Sequence, residues 1–375
     1  MDKRKRLSIL IPDGEDLLLM PVVNCLASTK QYKIYVLSND KKNPMRYSRN
    51  LYHFEFWQGS YSKDWIQTIN DFVKKYSIDH IFPIFETGIH NLIKYKHLLQ
   101  LPEKLIFLPE LKSFENAIDK GILSEHLNHH GIPGPKGQLV AAATDLKKID
   151  ALRFPVIAKP TTGYGGGKHI HVFHSLRKVE NYFRDTNFFC PHIVQEYIVG
   201  YDIDCSVLCK NGQILAYTIQ KGNVWEKTQF SPACGVAFLD EPRLYEIVAR
   251  LIKSLHWSGI AHIDLRFDEK DNNFKIIELN PRFWLSVEAS LRAGVNFPDL
   301  SIKALRNKTF SKPKYSSCSY LNLRGIKIIS TKNIGILLKW QYLLKNTSLR
   351  FVLKDPIPVL YKFLATKFKR LFSLN

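Results

Sequence analysis

Residues 261–282 read AHIDLRFDEKDNNFKIIELNPR and predict two antiparallel strands joined by the polar turn Asp268–Asn273. Successive side chains of a strand point to opposite faces, so Glu278 and Asn280 share one face of the second strand. Pairing through the turn would place Asp264 of the first strand opposite them. The sequence therefore predicts that two carboxylates and one amide converge. The two strands are expected over Ala261–Phe267 and Phe274–Leu279.

This set of side chains favours a hard divalent cation. Asp264, Glu278 and Asn280 offer carboxylate and amide oxygens, which are ligands that Mg²⁺ prefers and that Mn²⁺ also accepts. Arg282 follows on the same face and can hold a phosphoryl group through its planar guanidinium. The alternative is an exposed hairpin face with mixed charges. The apolar neighbours of Glu278 favour partial enclosure, where acids need partners.

A glycine-rich loop occurs about 100 residues earlier, in residues 158–169, which read AKPTTGYGGGKH. Four glycines in five positions let the backbone approach a ligand, and its N–H groups can bind phosphate oxygens. The spacing differs from that of a Walker A loop, and the strand expected next excludes a Rossmann turn. The loop predicts a flap over a nucleotide, with a flexible surface hairpin as the alternative. The glycines are Gly163, Gly165, Gly166 and Gly167.

Three further segments complete an ordered series of motifs. Asp119-Lys120 lies in a helix predicted over 113–131, with Ser113 as its N-cap, ahead of the turn that begins at Gly131. Lys159 ends the strand before the glycine loop, where a lysine can reach phosphate, although a solvated lysine is the alternative. The run QEYIVGYD occupies residues 195–202.

In this order, the motifs resemble the ATP-grasp superfamily, with the carbamoyl phosphate synthetase-like and carboxylate–amine ligase branches nearest. The resemblance covers about residues 7–305, and Glu278–Arg282 is its most specific string. It implies that Asp202 holds the ribose of ATP, with Asp204 competing for that role. The nucleotide-binding residues that it implies are Lys120, Lys159, Gly163, Gly165, Gly166, Gly167, Gln195, Glu196, Tyr197, Ile198 and Asp202. The metal ligands that it implies are Asp264, Glu278 and Asn280.

The resemblance implies an ATP- and Mg²⁺-dependent ligase whose partners are a small carboxylate and an amine. The carboxylate would become an acyl phosphate, which the amine would then attack, with Arg282 and Lys159 as catalytic residues. Two other functions stay open: a non-catalytic ATP-binding regulatory or scaffold protein, and a phosphotransferase on the same fold. The substrate pocket is expected to involve the segment Trp225–Phe238, Trp284, Ser286 and Arg292.

Strands and helices alternate over the first 112 residues, which predicts a parallel sheet covered on both faces. The predicted fold class is therefore α/β and α+β. A Rossmann-like domain at 1–112 precedes an ATP-grasp small lobe at 113–190 and a large lobe at 191–310. A basic helical extension is expected at 311–375.

The composition is that of a folded protein of two or three domains, with 375 residues, 45% hydrophobic and 23% charged. Six cysteines without C-x-x-C spacing are expected to be reduced and structural, as in a cytoplasmic protein. Neither a signal peptide nor a transmembrane helix is expected. A homo-oligomer stays open.

The basic charge is concentrated at the end of the chain. The whole chain carries a formal net charge of +20. Residues 311–375 alone contain thirteen Lys and Arg and one acid, Asp355. Basic and apolar residues interleave from 334 to 374, which is typical of a helix on an anionic membrane surface, here the inner face, or on a protein partner. A helical layer packed on the core is the alternative, and no specific nucleic acid is expected.

Overall fold

In the computed structural model, which describes residues 5–163, 169–186, 190–226, 231–308 and 310–372 (backbone alone for 366–372), the N-terminal domain is built on a parallel sheet. Its strands are β1 (Leu7–Ile11), β2 (Tyr32–Ser38), β3 (His53–Phe56) and β4 (His80–Ile81), and its helices are α1 (Leu19–Ala27), α2 (Lys63–Lys75) and α3 (Glu86–Lys94). The strand order is β3-β2-β1-β4, with every pair parallel. This confirms the Rossmann-like layout.

The helix predicted over 113–131 is divided by an aspartate. The two parts are α4 (Leu111–Ile118) and α5 (Lys120–His129). The Asp119 carboxylate accepts hydrogen bonds from two backbone N–H groups in the first turn of α5, at 2.8 and 3.0 Å, so Asp119 is an N-cap. Ser113, the predicted N-cap, lies inside α4. Lys120 therefore begins α5, and its N–H donates to the carbonyl of Thr161 at 2.8 Å.

The small lobe has an antiparallel sheet. Its elements are β5 (Gly137–Val140), β6 (Val156–Pro160), β7 (His171–Phe173), α6 (Leu176–Thr186) and β8 (His192–Glu196). The strand order is β5-β8-β6-β7. The predicted lobe boundary at 190/191 differs from this structure, because β8 pairs with β5 and β6 and not with the large-lobe sheet.

The large lobe is a second antiparallel sheet, of order β13-β12-β9-β10-β11-β14 in the described residues. Its elements are β9 (Gly200–Lys210), β10 (Gln213–Val224), β11 (Gly235–Phe238), α7 (Pro242–Ser254), β12 (Gly259–Asp268), β13 (Asn273–Asn280), α8 (Val287–Ala293), α9 (Phe297–Leu305) and β14 (Ser319–Leu321). The predicted hairpin of residues 261–282 is confirmed as β12 and β13.

Two apolar clusters fix the large sheet between layers. One face of β9, β12 and β13 packs on α7, with Trp257 and Phe274 among its buried side chains. The N-terminal domain joins the lobe through a second cluster, in which α1 and β1 pack with Phe283, Trp284 and Phe297. The polar residues of β12 and β13 therefore lie where the large lobe meets the N-terminal domain and the small lobe.

The C-terminal residues are helical after β14. The helices are α10 (Leu323–Lys332), α11 (Trp340–Asn346), α12 (Leu349–Lys354) and α13 (Ile357–Phe372), and short 3₁₀ helices occur at Pro44–Tyr47, Lys96–Leu98, Pro102–Lys104, Ala143–Ala151 and Ile334–Leu338. Because β14 pairs with β11, the large lobe extends past the predicted boundary at 310/311. All six cysteines are free. Among the described helices, none has the length and apolar character to cross a membrane.

Candidate active site

A cavity of about 370 Å³ opens between the small-lobe strands β6 and β8 and the polar face of the large sheet. Its walls come from both lobes and from the residues that follow β13. Most of the residues predicted for a nucleotide or metal site line this one cavity. They are Lys159, Gln195, Glu196, Tyr197, Ile198, Asp202, Asp264, Glu278, Asn280 and Arg282.

Four polar side chains form a row across four neighbouring strands. Asp264 of β12 is in register with Glu278 of β13 on one side and with Asp204 of β9 on the other. Asp204 is in turn in register with Gln220 of β10, whose amide donates to it at 3.4 Å. Side chains of residues in register on neighbouring strands lie on the same face of a sheet. Three carboxylates therefore stand side by side.

The crowding of these acids has electrostatic consequences. Burial, followed by the carboxylates of Asp204 and Glu278, raises the pKa of Asp264 well above its ordinary value. Burial likewise raises the pKa of Asp204 to about 7. Without a cation among them, these groups resist ionisation, so the row is prepared for positive charge.

A second row lies one residue pair further along the sheet. His262 of β12 is in register with Asn280 of β13 and with Ser206 of β9. The His262 Nδ1 is 2.9 Å from the Ser206 hydroxyl, and its Nε2 is 3.5 Å from Asp264 Oδ1 and 3.9 Å from Asp204 Oδ2. Burial lowers the pKa of His262 to about 3, so the ring is neutral.

Asp204 and His262 therefore join Asp264 in a compact group of possible ligand atoms, all within 4.8 Å of one another. Sequence reasoning weighed Asp204 only for the ribose and overlooked His262. The alternation of polar residues in 202–206 was a signal for the face of β9. Its pairing with β12, more than 50 residues away, is not visible in the sequence.

Cationic side chains face the carboxylate row from the small lobe and α5. Lys120 Nζ is 3.6 Å from Glu278 Oε1. Lys159 is only 5% exposed, and burial lowers the pKa of its ammonium to about 8, with a further lowering from Lys120 and an opposite effect from Glu278 and Asp264. A buried lysine of this kind is short of anionic partners and suits a phosphate.

Arg282 fixes the end of β13. Its guanidinium donates to the side-chain oxygen of Asn280 and to the carbonyl of Phe283, both at 3.0 Å. The Asn280 amide nitrogen donates to Asp264 at 3.2 Å, so the amide links the arginine to the carboxylate row.

The segment between the lobes is held by Arg266. Its guanidinium donates to the carbonyls of Ile198 and Gly200, at 2.8 and 2.9 Å, and to the carboxylate of Asp202. Asp202 is exposed at the rim of the cavity, and Asp204 lies deeper in it. The Glu196 carboxylate accepts from the backbone N–H of Arg153 at 3.0 Å.

Two carboxyls of the N-terminal domain lie near Arg282, which the sequence did not reveal. Asp16 follows β1 and Glu86 begins α3, and burial raises the pKa of both carboxyls. Arg282 opposes this rise at each of them, so the two acids lie within its electrostatic reach. The buried carboxylate of Asp13 accepts from the N–H groups of Ile84 and Phe85 and so fixes the backbone that leads into α3.

The remaining predicted residues lie as follows. Gly163 has φ +70, a conformation that favours glycine, and no atom of the described residues lies within 4 Å of the point that a Cβ would occupy. Gly165, Gly166 and Gly167 lie outside the described residues. Trp225, Trp284 and Ser286 line the cavity. Arg292 does not, since its Nε donates to Asn346 of α11 at 3.1 Å.

The donor set of the rows fits a hard divalent cation. Asp264, Glu278 and Asp204 offer carboxylate oxygens, and positive charge would offset the burial, and then the repulsion from Asp204 and Glu278, that raise the pKa of Asp264. The Asn280 side-chain oxygen accepts from Arg282 in this arrangement and would have to leave that bond to act as a ligand.

Comparison with known proteins identifies the domain. The family model of the ATP-grasp domain matches residues 117–286, which contain both rows, Lys120 and Lys159. The carbamoyl phosphate synthase large chain of Agathobacter rectalis is 25% identical over 244 residues, which are 62% of this chain and 23% of that protein. The D-alanine–D-alanine ligase of Francisella philomiragia is 25% identical over 181 residues, or 45% of this chain and 58% of that one. The chain thus spans less than two thirds of these relatives' lengths.

Solved structures show the same fold. The N5-carboxyaminoimidazole synthetase from Staphylococcus aureus, complexed with ADP, has a TM-score of 0.68 at 18% identity, covering 88% of this chain and 85% of that one. The L-amino acid ligase from Bacillus licheniformis has a TM-score of 0.58 at 18% identity, covering 82% and 75%. The likeness extends beyond the family match, into the N-terminal domain.

Proposed function

From the ATP-grasp domain that the chain contains at residues 117–286, we propose that the protein is an ATP- and Mg²⁺-dependent ligase that couples a carboxylate to an amine. The observation that carries the proposal is the face-to-face arrangement of the carboxylate row and the buried Lys159 across one cavity. Acids that resist ionisation face a lysine whose charge is disfavoured. A bound triphosphate with its cation would satisfy both.

ATP would lie between the lobes. Lys159, Lys120 and the glycine loop would hold its phosphates. The backbone of Glu196–Ile198 would read adenine, and Asp202 at the rim would accept hydrogen bonds from the ribose. Arg266 supports this role because it fixes Asp202 and the neighbouring carbonyls in one position.

Asp264 and Glu278 would hold the cation, with Asn280 joining them when its oxygen is released by Arg282. A bound Mg²⁺, or Mn²⁺ in its place, supplies positive charge that neutralises the phosphate oxygens during transfer. Asp204 and His262 are the neighbouring donors within 4.8 Å of Asp264.

The chemistry would take two steps. A carboxylate oxygen attacks the γ-phosphorus of ATP, the bond to the β-phosphate oxygen breaks, and ADP leaves. The amine then attacks the carbonyl carbon of the acyl phosphate, and phosphate leaves as the amine loses a proton. Lys159, Lys120 and Arg282 would hold the transferring group in line and offset its charge.

The two substrates would enter beside the Asp204 and Gln220 end of the carboxylate row. Gln220 and Ser286 hydrogen-bond each other at 2.9 and 3.1 Å and, together with Trp225 and Trp284, line the part of the cavity next to Asp204. Carboxylate and amide acceptors there suit the N–H groups of an amine.

The test is a screen of carboxylate and amine pairs for ADP release, with product masses. We expect ADP and phosphate only when both substrates are present, and a product lighter than their sum by one water. Asp264→Asn and Glu278→Gln should each lower the rate by about 100-fold or more. The control is Glu269→Gln, which removes an exposed carboxylate from the turn of the same hairpin.

Unchanged rates in both site variants would refute the metal assignment. A stable phosphorylated product without free phosphate would instead indicate a phosphotransferase. ATP binding without turnover over the whole screen would favour a regulatory or scaffold role.

A further inference from the structure

Large apolar side chains are exposed in unusual number near the end of the chain. Nine of the twenty-two that are exposed in the described part of the protein lie between residues 334 and 364. A single exposed leucine is ordinary, but a concentration of them marks an interaction surface. They are Ile334, Leu337, Leu338, Trp340, Leu353, Ile357, Leu360, Phe363 and Leu364.

Their placement shows two clusters. In the first, Ile334 and Leu338 are 77% and 88% exposed on a short 3₁₀ helix, and Trp340 follows at the start of α11. Two side chains that are mostly in solvent at neighbouring turns contribute little to the core on which they sit.

The second cluster is one face of α13. Ile357, Leu360 and Leu364 are each more than half exposed, and their spacing of three and four residues places them on one side of the helix. Pro358 is buried, and Tyr361 contacts the ring of Tyr47 at 5.0 Å, so a different side of α13 attaches it to the N-terminal domain. The exposed apolar face is not used for that attachment.

The charge around both clusters has one sign. The exposed cations that interleave with the apolar residues are Lys339, Lys345, Lys354 and Lys362, and Arg350 is half-buried. The only acid after residue 310 is Asp355, and it is buried at 6% exposure. Its carboxylate accepts hydrogen bonds from the side chains of Ser48 and Asn50. This segment therefore presents cations and apolar groups to solvent, without an exposed acid.

We propose that residues 334–365 bind the surface of an anionic lipid bilayer. The apolar clusters would enter the boundary between headgroups and acyl chains, with Trp340 at the interface and the cations on the lipid phosphates. A protein partner fits less well, because lysine is depleted in the centres of protein interfaces. Nucleic acid also fits less well, because single strands stack on aromatic platforms and not on leucine and isoleucine.

Flotation of the full-length protein with vesicles tests the proposal. One set of vesicles contains phosphatidylglycerol and phosphatidylcholine in equal amounts, and the other contains phosphatidylcholine alone. We expect partitioning to the anionic vesicles to be at least tenfold stronger, and to weaken several-fold in high salt because headgroup attraction is screened.

The double variant Leu338→Glu, Leu360→Glu places a negative charge in each cluster and should weaken partitioning at least tenfold. The control Leu101→Glu introduces the same change at a leucine that is 40% exposed in the N-terminal domain, and it should bind as the unmodified protein does. Circular dichroism of all variants checks that the fold is kept.

Equal flotation with neutral and anionic vesicles, or none with either, would overturn the proposal. So would self-association of the unmodified protein that the double variant abolishes in sedimentation experiments without vesicles, combined with no vesicle binding. None of these outcomes depends on ATP turnover.

Discussion

Removing the charge of Lys159 should stabilise the free protein and weaken its binding of ATP. Lysine in water has an ordinary pKa near 10.5, and burial in this cavity lowers it to about 8. The difference corresponds to about 3 kcal/mol by which the folded state disfavours the ammonium. Lys159→Met keeps most of the side-chain volume and removes that cost, so the urea midpoint at pH 7 should rise.

The sign of the pH dependence follows from the same shift. Below pH 8 both folded and unfolded states hold the proton, and the folded state bears the full cost. Between pH 8 and 10.5 the unfolded state binds more protons, so the lysine's effect on stability becomes less unfavourable as pH rises. The unmodified protein should therefore approach the stability of Lys159→Met over that window.

ATP binding should show the opposite dependence, because phosphates favour the ammonium. In the protein without ATP, about nine tenths of the Lys159 side chains are protonated near pH 7, whereas about one tenth are protonated near pH 9. The dissociation constant should rise about tenfold between these values, with proton uptake on binding near pH 9.

Calorimetry in two buffers of different ionisation enthalpy measures this uptake. Divalent cations are left out so that they do not change the ionisation of Asp264, which faces Lys159 with Glu278 and Lys120. Lys147→Met, which removes an exposed lysine of the small lobe, should keep the full uptake. The reasoning is refuted if Lys159→Met retains both the uptake and the pH-dependent affinity.

Two further substitutions test the segment between the lobes. Arg266→Lys should weaken ATP binding about tenfold in the same calorimetric titration, because one ammonium cannot replace a fork that bonds two carbonyls and Asp202 together. Affinity equal to that of the unmodified protein would contradict this. Gly200→Ala should lower the free energy of unfolding by about 2 kcal/mol or more, because φ is +153 and a Cβ would lie 1.9 Å from the Phe267 carbonyl oxygen. Gly212→Ala is the control in urea unfolding, since it has φ +77 but no atom closer than 3.4 Å, and a cost near that of Gly200→Ala would refute the clash.

The hairpin of the site could be predicted because its determinants are local. A polar turn between two short alternating runs predicts the hairpin, and Asp264 lies opposite Glu278 as expected. This pairing depends on a register shift between Asp264 and Leu265, which the turn alone does not predict. The nucleotide residues on the other side of the cavity, within 195–202, were predicted from the resemblance to the ATP-grasp superfamily and not from local periodicity. The Rossmann-like layout followed from the alternation of strands and helices.

Features that depend on distant pairing could not be read in this way. Asp204 becomes the third carboxylate only because β9 lies beside β12, and β8 belongs to the small lobe only because it pairs with β5 and β6. The break at Asp119 was overlooked because helical periodicity continues through it. The Asp119 carboxylate caps α5, and a side-chain bond of this kind competes with continuation of the helix. The hydrogen bond from the Lys120 N–H to the Thr161 carbonyl stabilises the same start of α5.

The pKa shifts on the two sides of the cavity have opposite directions and one explanation. Burial makes the carboxylates of Asp204 and Asp264 harder to ionise, and it makes the ammonium of Lys159 easier to neutralise. Direct ion pairs between the carboxylates and the lysine would reduce both shifts. Within the described residues, the ion pair that joins the two sides of the cavity is the 3.6 Å contact of Lys120 with Glu278. The strands and α5 hold most of these groups apart, so a ligand that lies between them and carries both signs of charge would offset the pKa shifts on both sides. A nucleotide triphosphate with its divalent cation has that property, because its phosphates face the lysines while its metal faces the acids. Binding of such a ligand would then offset the free energy of folding that the buried charges of this cavity cost.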